Sequence, residues 1–233
     1  MSDLKLVVFD CDGTLVDSQA AIGQSMASAF KDIGLPFPGN EIVKKIVGLS
    51  LHDAALILLP EGHHDLAPAL EAEYRKAFST LRLNNQVFEP LYPGVRKTLE
   101  VLKGENVLMG VATGKGQKGL EKTLAGHGIS DFFVTLQTAD HHPGKPNPSM
   151  LFTAMNETGV EPENTLFVGD TTFDIEMGKS AGVKTLGVSW GYHDPKLLIK
   201  TGANAILTGM DELVHHALRL GRLGSGPVPT LKG

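Results

Sequence analysis

The chain has 233 residues, 42% hydrophobic and 20% charged, an ordinary balance that can bury one large core or two modest ones. Its net charge of −5, with no basic stripe, argues against nucleic-acid binding, and no apolar run reaches the roughly 20 residues of a membrane span. The first residues enter a strand pattern without the basic and apolar segments of a secretory signal, and the lone Cys11 excludes an internal disulfide, so cytoplasmic residence is expected.

The first β-rich run, Leu4–Phe9, ends in Asp10-Cys11-Asp12-Gly13-Thr14. Asp is a poor strand former, so two carboxylates at the mouth of a buried strand require compensation by a cation or a reacting phosphate. From about residue 17 to 85 no strand pattern recurs. Ile22, Met26, Phe30 and Ile33 fall at helical spacing before the stop at Gly34. Asn40 is placed to cap a helix carrying Ile42, Val43, Ile46 and Val47, and Leu66, Leu70, Tyr74, Phe78 and Leu81 continue the helical pattern. This region reads as an all-helical insertion.

Beyond it, strand patterns at Val107–Ala112, Phe132–Leu136, Thr165–Val168, Thr185–Val188 and Ala205–Leu207 alternate with helical ones such as Val95–Lys103, Gly119–His127 and Pro148–Thr158. Alternation of this kind predicts an α/β fold, a Rossmann-like parallel sheet with right-handed crossovers. The expected division is a catalytic core of 1–16 and 86–220, a helical domain of 17–85, and a poorly ordered Gly/Pro-rich tail of 221–233.

In a parallel sheet, ligands collect at the carboxyl ends of the strands. Asp10 and Asp12, Thr113-Gly114-Lys115, Lys145-Pro146-Asn147-Pro148, and Gly169-Asp170-Thr171-Thr172-Phe173-Asp174 all follow predicted strands and would converge on one edge. Asp10, Asp12, Asp170 and Asp174 together need a cation, and an all-oxygen ligand set beside phosphate favours Mg²⁺. Lys145, the Thr113 hydroxyl and the Gly114 amide are phosphate donors, and a carboxylate attacks phosphorus only when phosphate charge is neutralised. Other residues read more blandly. Cys11 packs with its strand, while His141-His142 and His215-His216 are neighbours that share no face and are expected at the surface. Trp190-Gly191-Tyr192 reads as core packing.

Taken in this order, the four motifs resemble those of the haloacid dehalogenase superfamily of phosphohydrolases, over the chain up to about residue 215, and the insertion resembles that family's mobile α-helical cap. Leu91-Tyr92-Pro93-Gly94-Val95 and Lys145-Pro146-Asn147-Pro148 are most similar to its phosphoglycolate phosphatase-like branch. The resemblance implies Asp10 as nucleophile, Asp12 as general acid and base, Thr113 and Gly114 as phosphoryl holders, and Lys145 as the neutralising cation. It implies Mg²⁺ on Asp10, the Asp12 carbonyl, Asp170 and, directly or through water, Asp174. Expected partners are a small phosphorylated substrate and, at most, a second copy of the chain: a monomer or homodimer. Two positions depart from the pattern. Gly114 stands where relatives often carry Asn or Ser, and Leu51 stands where sugar phosphomutases carry Arg, which lowers a β-phosphoglucomutase-type reading. A phospho-aspartate receiver is a third reading, disfavoured because the insertion would cover the site.

Overall fold

The computed structural model describes residues 4–220. Six strands, β1 (Leu6–Phe9), β2 (Leu108–Thr113), β3 (Thr135–Thr138), β4 (Thr165–Gly169), β5 (Lys184–Val188) and β6 (Ala205–Leu207), form one sheet of order β3-β2-β1-β4-β5-β6. Every neighbouring pair is parallel. The expected α/β Rossmann-like architecture is therefore present, with the reversal of strand order falling at β1 and β4.

Alternation along β1 explains how both faces are filled. Val7 and Phe9 join one apolar cluster with α5 (Val95–Gly104), α6 (Gln117–Gly126) and α10 (Glu212–Leu218). Leu6 and Val8 point the other way, into a cluster with α7 (Ser149–Thr158) and α8 (Thr172–Ser180). The remaining core helix, α9 (Pro195–Thr201), presses Leu198 on Gly187 of β5. A strand buried on both faces has no polar side, which is why Leu6-Val7-Val8-Phe9 is a continuous apolar run.

Between β1 and α5 lie only helices: α1 (Gln19–Asp32), α2 (Asn40–Lys44), α3 (Leu51–Leu58) and α4 (Ala67–Leu83). They enclose a third cluster of their own, centred on Met26, Phe30, Ala55 and Leu70. Local details differ from the sequence pattern. Gly39, at φ 101°, caps α2, and Asn40 instead turns its side chain toward α1, where Gly23 leaves it room. That helix ends at Lys44, so Ile46 and Val47 lie beyond it, and Ile42 is exposed. Strand β3 starts three residues after Phe132 because Ser130–Phe132 closes a 3₁₀ turn first. Residues 221–233, expected as a tail, lie outside the described residues.

Helix α8 approaches β5 through Gly178, where an added Cβ would lie 2.1 Å from the Thr185 methyl. Gly178→Val therefore destabilises by roughly 3 kcal/mol, the upper end of ordinary overpacking, in urea unfolding. Thr185→Ser, which removes the obstructing methyl, recovers part of that loss in the double variant.

Candidate active site

The carboxyl ends of β1, β2 and β4, together with the loop after β3, bring all the singled-out residues to one place. Asp10 and Asp12 leave β1, Thr113 ends β2, Lys145 lies in the loop between β3 and α7, and Asp170 follows β4. Asp174 arrives from the first turn of α8. There Thr171 and Asp174 form a reciprocal capping box, in which Asp174 Oδ2 accepts from the Thr171 amide at 2.9 Å. The box occupies that oxygen and leaves Asp174 Oδ1 for Lys145.

Lys145 is fully enclosed and donates from Nζ to Asp10 Oδ1 and Asp174 Oδ1, both at 2.6 Å. Burial opposes its charge, yet Asp10 and Asp174 outweigh burial and hold it above the ordinary lysine range. Asp170 accepts at Oδ2 from the Tyr192 amide (2.8 Å) and at Oδ1 from the Thr14 hydroxyl (3.2 Å). Burial and the neighbouring carboxylates of Asp174 and Asp10 push Asp170 well above the usual carboxylate range. Asp12 has different partners: its Oδ1 lies 2.5 Å from the Ser18 hydroxyl and 3.0 Å from Lys115 Nζ.

Ligand atoms of Asp10, Asp170 and Asp174 lie within 4.8 Å of one another. All three side chains are buried, and Asp10 Oδ2 has no hydrogen-bond partner. An orphaned buried oxygen, an all-oxygen donor set and more negative than positive charge suit a hard divalent cation. The Asp12 carboxylate is not part of that group; its part in metal binding, as implied by resemblance, was through its carbonyl.

A cavity of about 1160 Å³ is lined from the sheet side by Asp10, Asp12, Thr113, Gly114 and Lys115. From the helical side, residues including Leu49, Ser50, Leu51, Arg75 and Phe78 face it. Gly114 has a steric explanation. An added Cβ would fall 2.2 Å from the Leu49 carbonyl oxygen and 2.7 Å from that of Gly48, so backbone meets backbone there. Gly144 instead lies close against side chains, those of Asp53 and Ser50.

Several contributors carried no role in the sequence reading. Ser18 and Tyr192 join at 3.2 Å beside Asp12, and the 190–192 segment holds Asp170 rather than merely packing; a Cβ on Gly191 would strike the Asp170 side chain at 2.1 Å. Only its position after β5 hinted at this. Lys115 followed Thr113-Gly114 in plain view, but its partner Glu89 is 26 residues away. His142 is half-buried, not at the surface, because its ring joins Ser149 at 2.9 Å and Gln137 at 2.8 Å. Cys11 is buried, and desolvation pushes its thiol up, away from the reactive thiolate.

The fold and the acidic site with its buried lysine define a class: a Rossmann-like α/β core with carboxylates at the switch point of a parallel sheet. The family description "Haloacid dehalogenase-like hydrolase" matches residues 7–188, and the chain belongs to that family as one of its phosphatases. It is 34% identical over 227 residues to "Probable phosphatase IndB" of Dickeya dadantii, covering 96% of this chain and 97% of that one. It is 31% identical to a phosphoglycolate phosphatase of Vibrio parahaemolyticus, over 91% of this chain and 95% of that protein. Among solved structures, a predicted phosphoglycolate phosphatase of Haemophilus somnus superposes with a TM-score of 0.78 at 27% identity, covering 93% and 99% of the two chains. No helix among the described residues is long and apolar enough to cross a membrane.

Two outcomes follow from the geometry. Gly114→Ser forces the 46–51 segment off the β2 loop, and this registers as faster hydrogen exchange across that segment, with protection unchanged in β4. Burial also pushes Asp10 up from 3.8 to about 7, so without a divalent ion the folded protein keeps a proton that the unfolded chain has released. The stability due to that proton is complete below 3.8 and is lost as pH climbs through about 7. In divalent-free buffer, the melting temperature of the wild type therefore falls relative to Asp10→Asn across that window.

Proposed function

We propose that the chain is a Mg²⁺-dependent phosphatase that hydrolyses a small, phosphoglycolate-like phosphomonoester through an aspartyl-phosphate on Asp10. The observation that carries this reading is the asymmetry of Asp10: Lys145 holds Oδ1, while Oδ2 has no hydrogen-bond partner in a residue that lines the cavity. Lysine contact keeps one oxygen in place and favours the charged form that attack requires.

The proposed sequence uses this chain's own groups. Asp10 attacks phosphorus as Asp12 protonates the departing alkoxide. The Thr113 hydroxyl and Gly114 amide hold the transferring phosphoryl, and Lys145 offsets its charge. Asp12, now ionised, takes a proton from water, which attacks the aspartyl-phosphate and releases inorganic phosphate and free Asp10. Asp10, the Asp12 carbonyl, Asp170 and Asp174 would hold Mg²⁺, which when bound supplies positive charge to the phosphoryl oxygens and to the carboxylates. Residues 17–85 act as a cap over a core formed by 1–16 and 86–220. Closure of that cap excludes bulk water, and the glycine contacts at Gly114 and Gly144 are its seats on the core.

A phosphoglycolate-like substrate is supported by relatives bearing that name, at 29–33% identity. The mutase reading is weaker because Leu51, not a cation, begins α3 at the cavity wall. A receiver-like switch is weaker still, since a cavity walled by both the sheet edge and the helical insertion beside Asp10 suits turnover of a small ester.

Phosphate release from a panel of phosphorylated metabolites tests the proposal. Asp10→Asn lowers kcat by about 10⁴-fold or more, as loss of a nucleophile does, and acid quenching of the wild type traps phosphate on Asp10. Chelation abolishes turnover and added Mg²⁺ restores it. Activity that survives Asp10→Asn, or an isomerised sugar phosphate without free phosphate, would overturn the mechanism.

A further inference from the structure

Each aspartate of the first motif has its own lysine, buried in the case of Lys145 and half-buried in the case of Lys115. Lys145 serves Asp10; Lys115 serves Asp12. The second pairing is not needed to hold the phosphoryl group, and it does not end at Asp12. Lys115 Nζ lies 3.0 Å from Asp12 Oδ1 and 3.0 Å from Glu89 Oε1. Glu89 Oε2 in turn accepts from Arg82 Nη2 at 2.9 Å and from the Thr123 hydroxyl at 3.2 Å. The side chains of Lys115, Asp12 and Glu89 are only 10%, 11% and 5% exposed. The Lys115 ammonium and the Arg82 guanidinium both lie over the Phe78 ring, at 5.3 and 5.4 Å from its centroid.

These four charges alternate in sign and come from four parts of the chain. Asp12 follows β1, Lys115 follows β2, Glu89 lies in the segment entering α5, and Arg82 and Phe78 belong to α4 of the helical insertion. A general acid works only when its proton is aimed at the leaving oxygen, and a carboxylate on a short side chain needs at least one fixed partner to be aimed. Lys115 donates to Glu89 and is ion-paired at the same distance with Asp12, and its outer flank is covered by an aromatic ring of the insertion. A lysine so committed is arranged to hold Asp12 rather than to grip a substrate.

We propose that Lys115 is a positioning residue for Asp12, and that Glu89 and Arg82 tie its hold on Asp12 to the placement of the helical insertion. Assembly of the acid then depends on the insertion being seated, because α4 supplies both the far cation and the covering ring. This inference rests on the reading of Asp12 as the general acid.

The leaving group separates positioning from substrate binding. An alkyl phosphate departs as an alkoxide that must be protonated, whereas 4-nitrophenyl phosphate departs as a stable phenolate. The kcat/KM value for each reports events through the first phosphoryl transfer, so the ratio of alkyl to nitrophenyl phosphate isolates the acid. Asp12→Asn lowers that ratio by about 10²-fold or more, within the usual range for loss of a general acid. Lys115→Met is expected to lower it at least tenfold, Arg82→Met severalfold in the same direction, and Lys115→Arg to restore most of it. An unchanged ratio in Lys115→Met would overturn the proposal, whether both substrates lose equally, which would make Lys115 a phosphoryl ligand, or neither loses. An unchanged ratio in Arg82→Met would remove the link to the insertion. If Asp12→Asn itself does not change the ratio, the general-acid reading fails, and the proposal with it. Glu89→Gln, which keeps the shape and removes the charge, is read the same way where circular dichroism shows that Lys115→Met has not folded.

Discussion

Asp10, Asp12, Asp170 and Asp174 are all buried where β1 and β4 end, so four carboxylates crowd one part of the interior. Like charge in a low-dielectric interior either takes up protons or finds cations. Much of the local structure is an answer to that constraint. Lys145 bridges two of the four, the start of α8 folds its own amides and hydroxyl around Asp174, and the Tyr192 amide and Thr14 hydroxyl serve Asp170. The oxygen that remains without a partner, Asp10 Oδ2, marks where the internal supply of donors ends. The same imbalance is what a divalent ion and a phosphoryl group would complete.

Close packing of backbone is the second consequence. Carboxylates can be crowded at the switch point only if loops approach without intervening side chains. Glycine permits this at Gly13 and Gly191, each of which leaves space for the Asp170 carboxylate. At Gly114 and Gly144 the same device lets the helical insertion rest on the core. Gly114 is thus a contact surface, and the side-chain donor absent at that position is replaced by a close seat for the Gly48 and Leu49 carbonyls.

Lys145 and Lys115 divide the labour between the two aspartates of the first motif. With one oxygen of Asp10 held by Lys145 and the other without a partner, and Asp12 held by Ser18 and Lys115, the pair are chemically distinct despite being two residues apart. Their separation is an electrostatic arrangement imposed from distant segments, since the motif itself is nearly symmetric in charge.

Much of the fold was legible along the chain. Alternating apolar runs and helical periodicities located six strands to within a few residues, because a strand buried on both faces leaves a dense local signature. The convergence of Asp10, Asp12, Thr113, Lys145, Asp170 and Asp174 was legible for the same reason, as parallel strands put their carboxyl ends on one edge. What local pattern could not carry is partnership. The capping role of Gly39 rather than Asn40 and the half-burial of His142 depend on neighbours remote in sequence. So do the bridge from Lys115 through Glu89 to Arg82 and the steric reason for Gly114. The sequence by itself determined which groups reach the sheet edge, since that follows from strand order and periodicity. Only the tertiary structure decided which lysine meets which aspartate and which glycine meets which carbonyl, because those pairings are set by three-dimensional distances of a few ångströms that no one-dimensional spacing encodes.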